Sequence, residues 1–112
     1  MTQIKPLSSM STPRFADVAT FFRLPIEKDL SKLDYCICGV PWDGGTTNRP
    51  GARHGPREIR NASSLVRLYH PVSLLSPYDK FNVADLGDCP VNPADLNDSL
   101  NKIEKFYKTI SE

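Results

Sequence analysis

Apolar positions in this chain change rhythm several times between residues 35 and 110. Tyr35, Cys36, Ile37, Cys38 and Val40 form a short, nearly unbroken run closed by Pro41. Such a run suits a strand buried on both faces of a parallel sheet. Ile59, Ala62, Val66 and Tyr69 then recur at helical spacing, which predicts a helix opened by Gly55-Pro56. Pro56 fits the first helical position because its missing N–H would have had no partner there, and Glu58 places a favourable negative charge near the same end. In "FNVADLGDCP", Phe81 and Val83 alternate and predict a second short strand running into an Asp/Gly turn. Last, Leu96, Leu100, Ile103, Tyr107 and Ile110 are spaced 4-3-4-3, one apolar face of a helix that Asn92 would cap and Pro93 would start. Asp95, Asp98, Lys102, Lys105 and Lys108 cover its other side.

Strand, helix, strand, helix is the start of an α/β sheet with helices on its faces. Upstream, residues 1–13 read as a flexible arm. Phe15, Val18, Phe21 and Phe22 stand near helical spacing before Pro25, a short helix or turn laid on a core. "IEKDLSKL" reads as polar linker. Two strands do not make a stable sheet alone, and a third is due where the sequence stops. The expected fold class is therefore α/β, incomplete in this chain.

Composition narrows the class. A chain of 112 residues has the length of one domain, and 39% apolar content with a net charge of +1 suits a globular protein. No apolar run approaches the roughly 18 residues of a membrane span. The first fifteen residues lack the apolar core of a signal peptide. Three Cys is an odd count, with two of them in an apolar run, so reduced thiols and a cytoplasmic location are expected.

The candidate chemistry lies in "PWDGGTTNRPGARHGPREIR", residues 41–60, which joins the first strand to its helix. Ligands of open α/β sheets bind at that strand edge. A phosphate cradle is disfavoured, because neither the G-x-G-x-x-G spacing nor a Gly-Lys-Ser/Thr ending is present, and Pro50 removes a backbone donor. A nucleic-acid patch is disfavoured by the near-neutral charge and the lack of aromatic residues among the arginines. The bland alternative is strong: Gly44, Gly45 and Gly51 would allow positive φ in an ordered loop, and Arg53 and Arg60 would pair with carboxylates or carbonyls.

The remaining candidates favour structure over chemistry. His54 and His70 have no Asp or His at ligand spacing, which makes His54 a structural donor or rim residue. Cys36 and Cys38 share one strand face, yet with Cys89 they still lack a fourth ligand, and core packing is the simpler reading. Asp85 and Asp88 sit at the carboxyl end of the second strand, where turn chemistry around Gly87 accounts for them.

Three segments together carry a resemblance. "RFADVATFFRLP", "GVPWDGGTTNRPGARHGPREIR" and "FNVADLGDCPVNPADL" resemble, in order, the entry segment, first strand-loop-helix and second strand of the ureohydrolase family of arginases and agmatinases. "GARHGP" is more similar to the agmatinase form. The resemblance implies a three-layer α/β/α fold with a mostly parallel sheet, of which residues 14–112 would be the N-terminal third. It implies hydrolysis of a guanidinium compound to urea and an amine, agmatine to putrescine in the first instance, at a pair of Mn(II) ions. A guanidinobutyrase or guanidinopropionase type of substrate, and a non-catalytic remnant or assembly partner, are the alternatives. The family's metal-ligand segments, Gly-Gly-Asp-His, Asp-Ala-His-x-Asp and Asp-x-Asp-x-x-Asp, do not occur here, so no metal ligand and no catalytic residue is expected in this chain, which alone would be inactive. Substrate-rim positions implied by the match are Trp42, Asp43, Asn48, Arg49 and His54. Arg49 would repel a cationic guanidine and would better steer a carboxylate-bearing substrate or brace the loop. A trimer or hexamer is implied for the complete protein, with no nucleic-acid or membrane partner.

Overall fold

The computed structural model describes residues 3–111. Of the arm expected over residues 1–13, the first two positions lie outside the described residues. Within the rest, the Ile4 N–H donates to Asn82 Oδ1 at 3.0 Å and the Leu7 N–H to the Arg23 carbonyl at 2.9 Å.

Regular elements run β1 (Tyr35–Gly39), α1 (Gly55–Ser63), α2 (Pro77–Lys80), β2 (Val83–Asp88) and α3 (Leu96–Ser111). β1 and β2 pair in a two-stranded parallel sheet. Short 3₁₀ turns cover Phe21–Arg23, Leu30–Lys32 and Ala52–His54. The chain forms two compact units. One comprises the described residues up to Ile37 with Ile59–Leu86, and the other comprises Cys38–Glu58 with the described residues from Gly87 onward.

In the first unit, Phe21, Leu24, Val83, Ala84 and Leu86 are the buried apolar residues. Asp85 is fully buried among them. Its carboxylate accepts from Arg60 Nε at 2.8 Å, Arg60 Nη2 at 3.0 Å and the Phe21 N–H at 2.9 Å. The Arg60 guanidinium also stands over the Phe21 ring, 4.2 Å from its centroid. Asp85 is therefore far more than a turn residue: it ties α1, β2 and the 20–24 turn together.

Of the helix or turn expected over residues 15–22, the structure has the turn. Phe22 and Arg23 take φ of 54° and 60°, which reverses the chain instead of continuing a helix, and Phe15 and Val18 are exposed. The orphaned amides are satisfied from the core, since the Phe22 N–H donates to Ser63 Oγ at 2.9 Å. Inside the supposed linker, Asp29 caps a turn by accepting from the Ser31 N–H. Phe81 lies before β2, at the end of α2, and stacks edge-on against Tyr35 at 5.1 Å.

Two helices start or stop elsewhere than expected. α1 ends at Ser63, leaving Val66 and Tyr69 beyond it. There the Leu65 and Val66 N–H groups donate three residues back, to the carbonyls of Ala62 and Ser63, a tightened last turn. In the second unit, α3 begins at Leu96, so Pro93 is not its first residue. Asp95 Oδ1 accepts from the Asp98 N–H at 3.0 Å and acts as the cap. Asn92 caps only the preceding turn, accepting from the Ala94 N–H. Ser99 is buried and exchanges hydrogen bonds with the Asn92 backbone at 2.7 and 2.9 Å. Leu96, Leu100 and Tyr107 of the expected inner stripe are about half exposed, while Ser99 is buried.

Candidate functional site

β1 delivers the chain to Pro41 at its carboxyl end, and the following loop is closed by one side chain. Asp43 is buried. Its Oδ2 accepts from the Gly51 N–H at 2.7 Å and the Arg53 N–H at 3.3 Å, while Oδ1 accepts from Arg53 Nε at 2.8 Å. Burial pushes the Asp43 carboxyl up, but the Gly51 N–H and the Arg53 guanidinium and N–H outweigh it and hold the carboxyl below its ordinary value. It is an anionic staple across eight residues of loop.

Glycines make that staple possible in two different ways. Gly51 has φ of 138°, a conformation closed to a side chain, and from there its amide reaches Asp43. Gly44 serves by close approach, since a Cβ there would run into the Trp42 indole. Neither Gly44 nor Gly45 has positive φ.

The stapled loop walls a cleft of about 290 Å³. Trp42, Asp43, Arg53, His54, Arg57 and Asp88 line it. Of the positions expected at a substrate rim, Trp42, Asp43 and His54 meet in this cleft. Asn48 and Arg49 are exposed and do not line it. Arg57 and Asp88 had no rim role in the sequence reading. Their signal was register: Arg57 follows Arg53 by four residues and His54 by three, across the junction of a 3₁₀ turn with α1. Asp88 ends β2 and crowds Gly39, where an added Cβ would meet its carboxylate and lie 2.6 Å from Pro56 Cβ.

The cleft is suited to binding rather than bond making. With Arg53 engaged by Asp43, Arg57 and His54 supply donors beside the Trp42 indole. Among the described residues, no group of three or more His, Cys, Asp or Glu lies together to hold a metal ion. Cys36, Cys38 and Cys89 are not joined in disulfides. Burial, and secondarily Cys38 and Asp88, push the Cys89 thiol up against the weaker pull of Lys102, and Cys89 packs as a small buried side chain.

Paired parallel strands with helices, and a cleft at the carboxyl end of β1, define part of an α/β fold. Residues 33–112 match the Arginase family, and the chain belongs to that family. It is 58% identical over 106 residues to guanidinopropionase of Pseudomonas aeruginosa, covering 95% of this chain and 33% of that protein. Against guanidinobutyrase of the same bacterium it is 41% identical over 109 residues, covering 95% and 34%. The solved structure of proclavaminate amidinohydrolase from Streptomyces clavuligerus superposes with a TM-score of 0.80 at 36% identity, covering 85% of this chain and 32% of that one. The fold is thus arginase-like, and the chain spans about a third of the length of the curated relatives it matches.

Proposed function

We propose that this chain is the N-terminal part of a ureohydrolase acting on a guanidino acid, releasing urea and an amino acid. The observation that carries the reading is the 58% identity to a guanidinopropionase along nearly the whole chain, against 42% to the mitochondrial agmatinase of Gallus gallus. Agmatine is therefore the comparison substrate rather than the first choice. The cleft is consistent with an acid, since the Arg57 guanidinium matches carboxylate geometry and repels a second cationic end. A binuclear manganese centre, a homo-oligomer and a cytoplasmic location belong to the same reading. The described residues offer no ligand set for the metal pair, so no catalytic step is assigned to them; this segment shapes and lines the approach.

The test is urea release from 3-guanidinopropanoate, 4-guanidinobutanoate and agmatine, by the protein purified from its own cells with Mn(II) supplied. Faster turnover of either acid than of agmatine supports the reading, and a preference for agmatine overturns it. Arg57→Ala should raise KM for the acids by roughly tenfold and leave KM for agmatine unchanged.

A further inference from the structure

Away from the cleft of the second unit, the first unit holds a concentration of arginines that the reading above does not use. Arg14, Arg23 and Arg67 line one cleft of about 430 Å³, together with Ser9, Ser64 and Tyr69. Among the described residues lining it there is no carboxylate. Three positive charges thus share a concavity with hydroxyl groups, and the carboxylate of Asp17 belongs to the adjoining cleft that Arg14 and Arg23 also line.

Arg23 is the centre of this arrangement. Its backbone is fixed in the left-handed region at φ 60°, and its carbonyl accepts from the Leu7 N–H at 2.9 Å. One end of its guanidinium is occupied, with Nη2 donating to the carbonyls of Thr12 at 3.0 Å and Pro13 at 3.2 Å. The other nitrogen, Nη1, is buried and has no hydrogen-bond partner among the described residues. A buried charged donor without an acceptor is costly, and native structures keep few of them. An oxyanion in the cleft would offset the three charges, and a small shift of the Arg23 guanidinium would bring Nη1 the acceptor it lacks. Guanidinium groups in a fixed fork suit phosphate oxygens in particular.

We propose that this cleft is a phosphate-group site, separate from the guanidino-acid cleft and sized for a phosphate monoester rather than a bare ion. Arg23 supplies the central guanidinium, with Arg14 and Arg67 closing on the remaining oxygens and Ser9 and Ser64 offering hydroxyls. Its occupant would also lock the reversed turn at residues 22–23 and the segment around Pro13, because one guanidinium spans both. Binding at this place would therefore stabilise the N-terminal segment.

Inorganic phosphate is the probe. The purified protein is titrated at constant ionic strength, with chloride as the control, while phosphorus NMR linewidth and the thermal midpoint are followed. Saturable broadening and a rising midpoint that chloride does not reproduce are expected. Arg23 also braces backbone carbonyls and its replacement could unfold the turn, so the decisive variant is the exposed pair Arg14→Gln with Arg67→Gln. That variant should keep the unliganded midpoint and weaken phosphate binding at least roughly tenfold. Equal binding by wild type and variant, or no saturable response in wild type, overturns the proposal. So does a phosphate-insensitive protein whose association between copies is lost in the double variant, because the arginines would then serve a neighbour's carboxylates.

Discussion

Two buried aspartates each take an arginine in this chain, and the two pairs perform different work. Asp85 side-chain exposure is 0% and that of Arg60 is 12%. Asp43 is at 1%, but its partner Arg53 is at 48%. The first pair joins residues 25 apart and adds the Phe21 amide a further 64 residues from Asp85, so it links elements that are distant along the chain. The second closes ten residues of a single loop. A carboxylate that organises a core must have all its lone pairs met by protein, whereas a loop staple can leave its arginine in water. Removing each carboxylate should therefore fail differently: one globally, the other locally.

The largest effect is expected at Asp85. Asp85→Ala strands the Arg60 charge and the Phe21 amide together and should cost about 3–5 kcal/mol in denaturant unfolding. Asp85→Asn retains one acceptor for the Phe21 N–H and should cost less. Combining Asp85→Ala with Arg60→Met should be milder than the sum of the two singles, since the pair is lost only once. Additive costs would show that the two side chains are not coupled.

A smaller loss tests how far the Asp85 network extends. Ser63→Ala removes the acceptor of the Phe22 N–H and should cost about 1–3 kcal/mol. At Asp43 the outcome should change in kind. Asp43→Ala should speed hydrogen exchange at the Gly51 and Arg53 amides while leaving exchange in β2 near wild type. Equal acceleration in both places would mean that the loop staple also supports the core.

The same contrast explains how much could be read from the sequence. Strand β1, strand β2 and the existence of α1 and α3 follow from local apolar rhythm, and the loop after β1 lines a cleft where strand order led one to look. Long-range polar bonds are invisible to that rhythm. Asp85 read as a turn residue because nothing local announces that Arg60 and the Phe21 amide converge on it. The 15–22 stripe had the right residues, but Phe22 and Arg23 turn left-handed where Ser63 and Asp85 capture their neighbourhood's amides. On α3, Leu96, Leu100 and Tyr107 have helical spacing, yet the side chain buried there is Ser99, held by its bonds to the Asn92 backbone. For the cleft, position along the chain found Trp42, Asp43 and His54. Arg57 and Asp88 required knowing that a 3₁₀ turn feeds directly into α1 and that β2 ends beside Gly39.

The smallest expected effect is also the most specific to the loop pair. The Asp43 carboxyl is held below its ordinary value of 3.8 in the folded chain. Its ionised form therefore favours folding, and that contribution is complete at pH values above that ordinary value, which the unfolded chain keeps. As pH falls through the still lower folded value, the carboxylate takes up its proton and the contribution disappears. Asp29 and Asp98 are lowered as well, by bonds from Ser31 and from Asn92 and Lys102, so wild type and Asp43→Asn should both weaken in acid. The stability gap between them should be constant from neutral pH down to about 5, then shrink as pH drops below about 4. Denaturant midpoints across that range measure it. A gap that stays constant in acid would mean that the Asp43–Arg53 contact holds the loop as neutral hydrogen bonds do, and that its charge is incidental.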